Sequence, residues 1–181
     1  FQNINLNISK RMYMAQAGYT DLIVEGGYVF GKVPFPLLTI HKANQTYAYQ
    51  LSAYNLMNFM EFVSDKYAAA NVDVYLNGFI LNRVPLLRKL KLREVASVKI
   101  LFGSLRDKNN PGKKYDVLKL PVNENGILTT YNLNSGPYIE ASVGIANIFK
   151  LVRVDLVRRL SYLNHPQVSE WGIRTRLRLD F

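Results

Sequence analysis

The alternating pattern of the last eleven residues, 171–181, constrains the fold of this chain more than any other feature. Apolar or aromatic residues recur at every second position, and a period of two predicts a β-strand. Ten residue steps of about 3.3 Å, tilted by about 40°, rise about 25 Å, which is the height of the apolar band of an outer-membrane barrel. The two sets are Trp171, Ile173, Leu177, Leu179 and Phe181, and Arg174, Arg176, Arg178 and Asp180.

Alternation alone does not say which face of a strand meets lipid, because a soluble sandwich buries its apolar face and a membrane barrel exposes it. Strand length and charge favour the barrel. Soluble strands usually have about five or six residues, whereas tilted bilayer-spanning strands need about nine to eleven. Charges repeated on neighbouring strands can face each other across a polar interior. We therefore predict an all-β, antiparallel transmembrane β-barrel in a Gram-negative outer membrane, with its C-terminus in the periplasm.

Alternating segments recur along the chain and predict about eight strands in four hairpins. They lie at 3–14, 22–30, within 47–63, and at 71–81, 94–103, 138–147, 151–163 and 171–181. The third is the least regular, because Asn58 and Glu61 interrupt its pattern. The chain begins on Phe1 at the edge of an alternating strand. We therefore expect residues 1–181 to be the C-terminal portion of a larger barrel rather than a complete mature chain.

Loop length assigns the two sides of the predicted barrel, since periplasmic turns are short and extracellular loops are longer. Residues 104–136 are rich in Asn, Pro, Gly and Lys and predict one long extracellular loop. Residues 82–93 carry five basic side chains and predict a periplasmic basic turn. This turn is either a solvated connection or a contact for anionic headgroups or a partner.

Composition excludes several classes of protein. Hydrophobic residues make up 49% of the chain, yet no apolar run is long enough for a membrane-spanning helix. The net charge of +10 is dispersed along the strands and concentrated in one short turn, so we do not expect nucleic-acid binding. Cysteine is absent, which excludes a disulfide framework and a thiolate metal site.

Catalytic groups do not converge in the predicted topology. We expect His41 in an inner turn and His165 in an outer hairpin, on opposite sides of the membrane. No histidine is then placed to activate Ser64, which stands beside Asp65. The sequence predicts no enzyme, no bound metal and no cofactor.

Dense polar chemistry is expected only in the interior of the barrel. It is either a charge network that holds the wall together or the lining of an anion-selective path. The interior set is Arg153, Asp155, Arg159, Arg174, Arg176, Arg178, Asp180, Glu140, Asp73 and Lys99, with Arg11 and Glu25 further along the sheet.

Arg158 does not belong to this set, because it falls among lipid-facing residues. Its side chain must snorkel, shift at a β-bulge or contact another protein.

The C-terminal strand resembles the β-signal by which outer-membrane proteins are recognised for insertion. The resemblance is carried by Trp171, Gly172, Leu177, Leu179 and Phe181, with Ile173 between them. Such a signal implies the barrel-assembly machinery as a partner, and outer-membrane lipid and lipopolysaccharide as surroundings.

Residues 54–67, 77–94 and 137–155 together resemble a family of unknown function. It is a Bacteroidota outer-membrane family in which a carboxypeptidase-regulatory-like domain precedes a C-terminal barrel. The resemblance implies an architecture and a location, and no activity. From the chain as a whole we predict a non-catalytic barrel that serves as a membrane anchor or scaffold of an envelope complex, with other envelope proteins as partners. An insertase-like assembly or translocation barrel is the alternative, and an anion-selective pore is a weaker one.

Overall fold

A seven-stranded antiparallel sheet dominates the computed structural model, which describes residues 1–111, 113 and 117–177. The sheet has the order β1-β2-β5-β6-β7-β8-β9, and β3 pairs separately with β4. The strands are β1 Gln2–Tyr13, β2 Gly18–Phe30, β3 Thr39–Ile40, β4 Val63–Ser64, β5 Lys66–Leu76, β6 Arg93–Ser104, β7 Tyr138–Ile148, β8 Val152–Arg159 and β9 Trp171–Leu177. The predicted all-β antiparallel fold is confirmed.

Helical structure in the described residues is limited to short turns. The α-helix α1 spans only Pro85–Arg88, and 3-10 turns lie at Ala15–Ala17, Phe35–Leu37, Leu81–Arg83 and Asp107–Asn109. None of these helices is long and apolar enough to cross a membrane. Loop packing and strand pairing therefore determine the architecture.

The predicted third strand is wrong. Residues 41–62, called here the inward segment, leave the sheet and cross one of its faces, and only β3 and β4 pair where the segment begins and ends. The reason is visible at Asn55, whose backbone N–H donates to the Glu140 carboxylate instead of to a neighbouring strand. Among the described strands β1 and β9 each pair with only one other strand, so strand pairing does not close the sheet. The backbone of Thr175 in β9 also bonds to Tyr47 and Tyr49 of the inward segment.

Short and long connections lie at opposite edges of the sheet. Because consecutive sheet strands are antiparallel neighbours, the connections 14–17, 77–92 and 149–151 share one edge and 31–65, 105–137 and 160–170 share the other. We call these the short-connection edge and the long-connection edge. The basic turn 82–93 and the loop 104–136 therefore lie at opposite edges of the sheet. His41 and His165 lie at the same edge, which corrects their expected separation.

The sheet has a polar face and an apolar face. The polar face carries Asp73, Lys99, Glu140 and Asp155, all buried beneath the inward segment, and the apolar face carries exposed Val98, Val143, Leu156 and Ile173. Core residues of the inward segment, Tyr54, Met57 and Phe62, pack with Leu101, Leu133 and Tyr138. The largest apolar core thus lies between the inward segment and the polar face.

Candidate functional site

Arg153 is the centre of a buried charge network on the polar face. Its Nε lies 2.6 Å from Asp155 Oδ2 and its Nη1 lies 2.8 Å from Asp73 Oδ2. The guanidinium also donates to the Tyr75 hydroxyl and lies 4.0 Å from the centre of the Tyr49 ring. One cation therefore holds two buried carboxylates on β8 and β5, and those carboxylates supply acceptors for its charged donors.

Gly144 makes room for this network. It lies opposite Asp155 in the β7–β8 register. A Cβ atom at position 144 would lie only 2.6 Å from Asp155 Oδ1 and from the Val154 carbonyl oxygen. Glycine at this position therefore permits the close approach of Asp155 and of the neighbouring strand.

Glu140 joins the sheet to the inward segment. Its carboxylate accepts hydrogen bonds from the backbone N–H groups of Asn55, at 2.8 Å, and Leu56, at 3.1 Å. Lys99 Nζ lies 3.6 Å from the same carboxylate and donates to the backbone carbonyls of Gln50 and Ala53. Both charged groups are therefore satisfied by the peptide backbone of the segment as well as by each other.

Arg159 fixes the other end of the inward segment. Its guanidinium is fully buried and makes a bidentate pair with Glu61, at 2.6 and 2.9 Å. His165 Nδ1 lies 2.7 Å from Glu61 Oε1, and the imidazole stacks on Tyr131 with ring centres 3.9 Å apart. Residues from three connections of the long-connection edge, Glu61, Tyr131 and His165, are therefore packed together here.

The other predicted network residues lie on the same face but are less buried. Arg174 donates to the Asn55 carbonyl at 2.6 Å, and Arg176 is in register with Arg153. Arg11 pairs with Asp21 at 2.6 Å at an exposed position, and Lys42 lies 3.9 Å from Glu25. Arg178, Leu179, Asp180 and Phe181 lie outside the described residues.

Sequence reasoning missed the partners that the inward segment supplies. Tyr49 donates to Asp73 at 2.6 Å and lies 3.0 Å from Ser97 Oγ, deep in the polar face. Asn55 and Glu61 make the bonds described above. The broken alternation at Asn58 and Glu61 was the available signal, since polar residues that fit neither strand parity indicate a segment outside the sheet.

Arg158 lies on the apolar face, close to the long-connection edge. It is the second-last residue of β8, and its guanidinium stacks on the Trp171 ring, 4.7 Å from the ring centre. The β-bulge considered for it is absent, because the register irregularity of this strand pair lies between Ile145 and Ile148. Trp171 and Leu177 are exposed on the apolar face, whereas Gly172 lies under Leu56 of the inward segment.

A second buried constellation lies at β3 and β4. His41 Nε2 is 3.0 Å from Ser64 Oγ, so a histidine lies within hydrogen-bond distance of this serine, contrary to expectation. Asp65 bonds instead to Arg106, at 2.7 Å, and to Asn109, at 2.8 Å. Both His41 and Ser64 are buried. Among the described residues no three His, Asp or Glu side chains are arranged to hold a metal ion.

The burial of His41 predicts a pH-dependent stability. Burial lowers the pKa of this imidazole to about 4, against about 6.5 in an unfolded chain. As pH falls, the unfolded chain binds the proton first, so stability should be constant above pH about 6.5 and decline towards pH about 4. The decline attributable to His41 should approach about 3 kcal/mol.

Urea unfolding of wild type and His41→Gln at pH about 7 and about 5 measures this effect. Buried carboxylates also titrate in acid, so the comparison with the variant isolates the imidazole. We expect a shallower acid decline in His41→Gln. Equal declines in both proteins would disprove the assignment.

Comparisons with known proteins identify a family for this chain. The model described as "Family of unknown function (DUF5686) C-terminal domain" matches residues 1–109, which include β1, β2, β5, β6 and the inward segment. The matched part contains two of the three segments on which the resemblance was based and ends before the third, 137–155. No curated protein and no solved structure matches the chain. Since the match covers more than half of its length, the chain belongs to this family of unknown function, as a C-terminal domain.

Proposed function

We propose that the chain forms part of the wall of an outer-membrane β-barrel and acts, without catalysis, as the membrane anchor or scaffold of an envelope complex. The observation that carries this proposal is the inverted sheet, whose charged face is buried and whose apolar face is exposed. Val143 and Ile173 are each 63% exposed, whereas Asp73 and Asp155 are fully buried. A water-soluble sheet buries the opposite face, so lipid is the surrounding that this pattern fits.

Aromatic side chains support the same orientation. Phe30, Phe102 and Trp171 are exposed and stand near the ends of their strands at the long-connection edge. Aromatic girdles occupy both interfaces of outer-membrane barrels, and the cation of Arg158 on Trp171 suits this depth better than the midplane. We place the long-connection edge outside the cell and the short-connection edge in the periplasm.

The inward segment favours a scaffold over a pore. It covers the polar face from β5 to β9, where Tyr49, Asn55 and Glu61 satisfy charges that would otherwise line a water-filled path. Translocation of a polypeptide likewise requires an interior without a permanent plug. By the resemblance noted above, the anchored part is a periplasmic carboxypeptidase-regulatory-like domain, and the partners are envelope proteins.

Single-cysteine labelling tests the membrane assignment, and residues 1–181 contain no cysteine that would compete with the introduced one. A fluorophore attached at Val143→Cys in native outer membranes should be quenched by spin-labelled lipid and protected from aqueous iodide. Glu124→Cys, at an exposed loop position, is the matched control and should show the reverse. Iodide quenching at position 143 equal to that at 124 would refute the proposal. In planar bilayers the assembled protein should pass no steady ion current, and an anion-selective current would instead favour the pore.

A further inference from the structure

A basic cavity lies at the short-connection edge, and two of its residues, Arg93 and Asn147, also line a pocket with Arg153 of the buried charge network. Its volume is about 400 Å³. Three cations and three amides face it: Arg88, Lys91, Arg93, Asn77, Asn82 and Asn147. It is built from the connection 77–92, from Arg93 at the start of β6 and from Asn147 near the end of β7.

The walls of the basic cavity are fixed by the amides. Asn147 Nδ2 donates to the Lys91 carbonyl at 2.7 Å, which ties the end of β7 to the basic turn. Asn82 Nδ2 donates to the Asn77 carbonyl at 3.1 Å and closes the turn on itself. The amides therefore hold the backbone from which the three cations project.

The three cations carry no internal counter-charge among the described residues. Residues 77–93 contain five basic side chains and no acidic one. The adjacent carboxylate, Glu94, accepts the backbone N–H groups of Ile80 and Leu81, at 2.9 and 2.5 Å, and does not line the cavity. No described carboxylate pairs with Arg88, Lys91 or Arg93, so the cavity has an uncompensated positive charge.

Apolar side chains surround this charge. Phe79 is 59% exposed and Leu90 is 58% exposed, and Ile80, Val84 and Phe149 are also exposed at this edge. A cationic cavity beside exposed apolar side chains is typical of a surface at the boundary between headgroups and acyl chains. A soluble phosphate would use the cations and leave these apolar groups in water.

We propose that the basic cavity binds the phosphodiester of an anionic phospholipid in the periplasmic leaflet, with the surrounding apolar side chains against its acyl chains. The site rests on the proposed membrane function and adds a specific ligand class to it. Arg88 and Arg93 can each present two N–H groups to phosphate oxygens, and Lys91 adds a third charge.

Two charge-matched variants test the site. Arg88→Gln/Lys91→Gln removes two cations from the cavity, and Arg83→Gln/Lys89→Gln removes two cations of the same turn that do not line it. The intact protein is placed in phosphatidylcholine nanodiscs containing a minority of phosphatidylglycerol, and the lipids retained on it are counted by native mass spectrometry. We expect the cavity variant to lower phosphatidylglycerol enrichment about tenfold or more, and the control variant to lower it less than about threefold.

Equal losses in the two variants would overturn the site, because they would indicate diffuse attraction to net charge. Lack of phosphatidylglycerol enrichment in the wild type would overturn it as well. Saturable binding of glycerol phosphate to protein in pure phosphatidylcholine discs, without enrichment of the anionic lipid, would assign the cavity to a soluble phosphate and reject the lipid. Quenching of the probe at Val143→Cys in those neutral discs reports on membrane insertion independently, so failure of the barrel proposal is recognised separately.

Discussion

Arg153→Leu should cost about 3 to 5 kcal/mol of unfolding free energy, the largest loss expected for a single substitution in this chain. The reason is the pair of carboxylates, Asp73 and Asp155, that would remain fully buried without their shared cation. The hydroxyl of Tyr75 would lose the hydrogen bond that Arg153 donates to it. Denaturant unfolding of the detergent-refolded protein, followed by Trp171 fluorescence and heat-modifiable gel mobility, measures the change.

Arg11→Leu is the matched control for this substitution. Arg11 pairs with Asp21 through two hydrogen bonds, but its side chain is 40% exposed. Solvent-exposed ion pairs contribute about 1 kcal/mol or less, so the control should change stability little. Similar losses in both variants would mean that general charge balance, and not the buried network, stabilises the sheet.

Glu140→Gln should release the inward segment from the sheet. The carboxylate accepts backbone N–H groups of Asn55 and Leu56 and faces the ammonium group of Lys99. The side-chain amide of glutamine would place an NH₂ group against these N–H donors, where the carboxylate offers only acceptors. It would also leave the buried lysine without a counter-charge. We expect the amides of Asn55 and Leu56 to exchange with solvent roughly a hundredfold faster, corresponding to a local loss of about 3 kcal/mol.

Hydrogen exchange measured residue by residue separates this release from global unfolding. Amides in the middle of β6 and β7 should keep most of their protection, while those of the inward segment lose theirs. Glu124→Gln, an exposed carboxylate in the 105–137 connection, removes the same charge and should leave all of these rates unchanged. Unaltered exchange at Asn55 in Glu140→Gln would refute the role assigned to Glu140.

The strands of the sheet could be predicted because each one carries a complete pattern in its own residues. In β6, Val95, Ser97 and Lys99 alternate with Ala96 and Val98, and the structure places the two sets on opposite faces. Because successive side chains of a strand point to opposite faces, the sequence of one strand shows which of its residues share a face, irrespective of the neighbouring strands. For this reason the predicted interior residues that lie within the described ranges all share the polar face.

The inward segment could not be predicted in the same way, because its partners are distant in the chain. Glu61 bonds to Arg159, 98 positions away, and Asn55 bonds to Glu140, 85 positions away. A segment whose backbone N–H and C=O groups bond to the charged side chains of a sheet needs no periodic pattern in its own side chains. The error about His41 and Ser64 followed directly, since the false strand predicted within 47–63 lies between these two residues and would have put them at opposite edges of the sheet.

The contacts of the inward segment divide the sheet into parts of unequal stiffness. Five consecutive strands, β5 to β9, are cross-tied through buried groups of this segment. It reaches β2 through the 3.9 Å pair of Lys42 with Glu25, and every residue of β1 is exposed. We expect the β1–β2 hairpin to be the flexible part of the sheet, because it can bend without separating a buried ion pair. A strand or partner protein that joins the sheet would therefore meet a flexible edge at β1 and a rigid edge at β9.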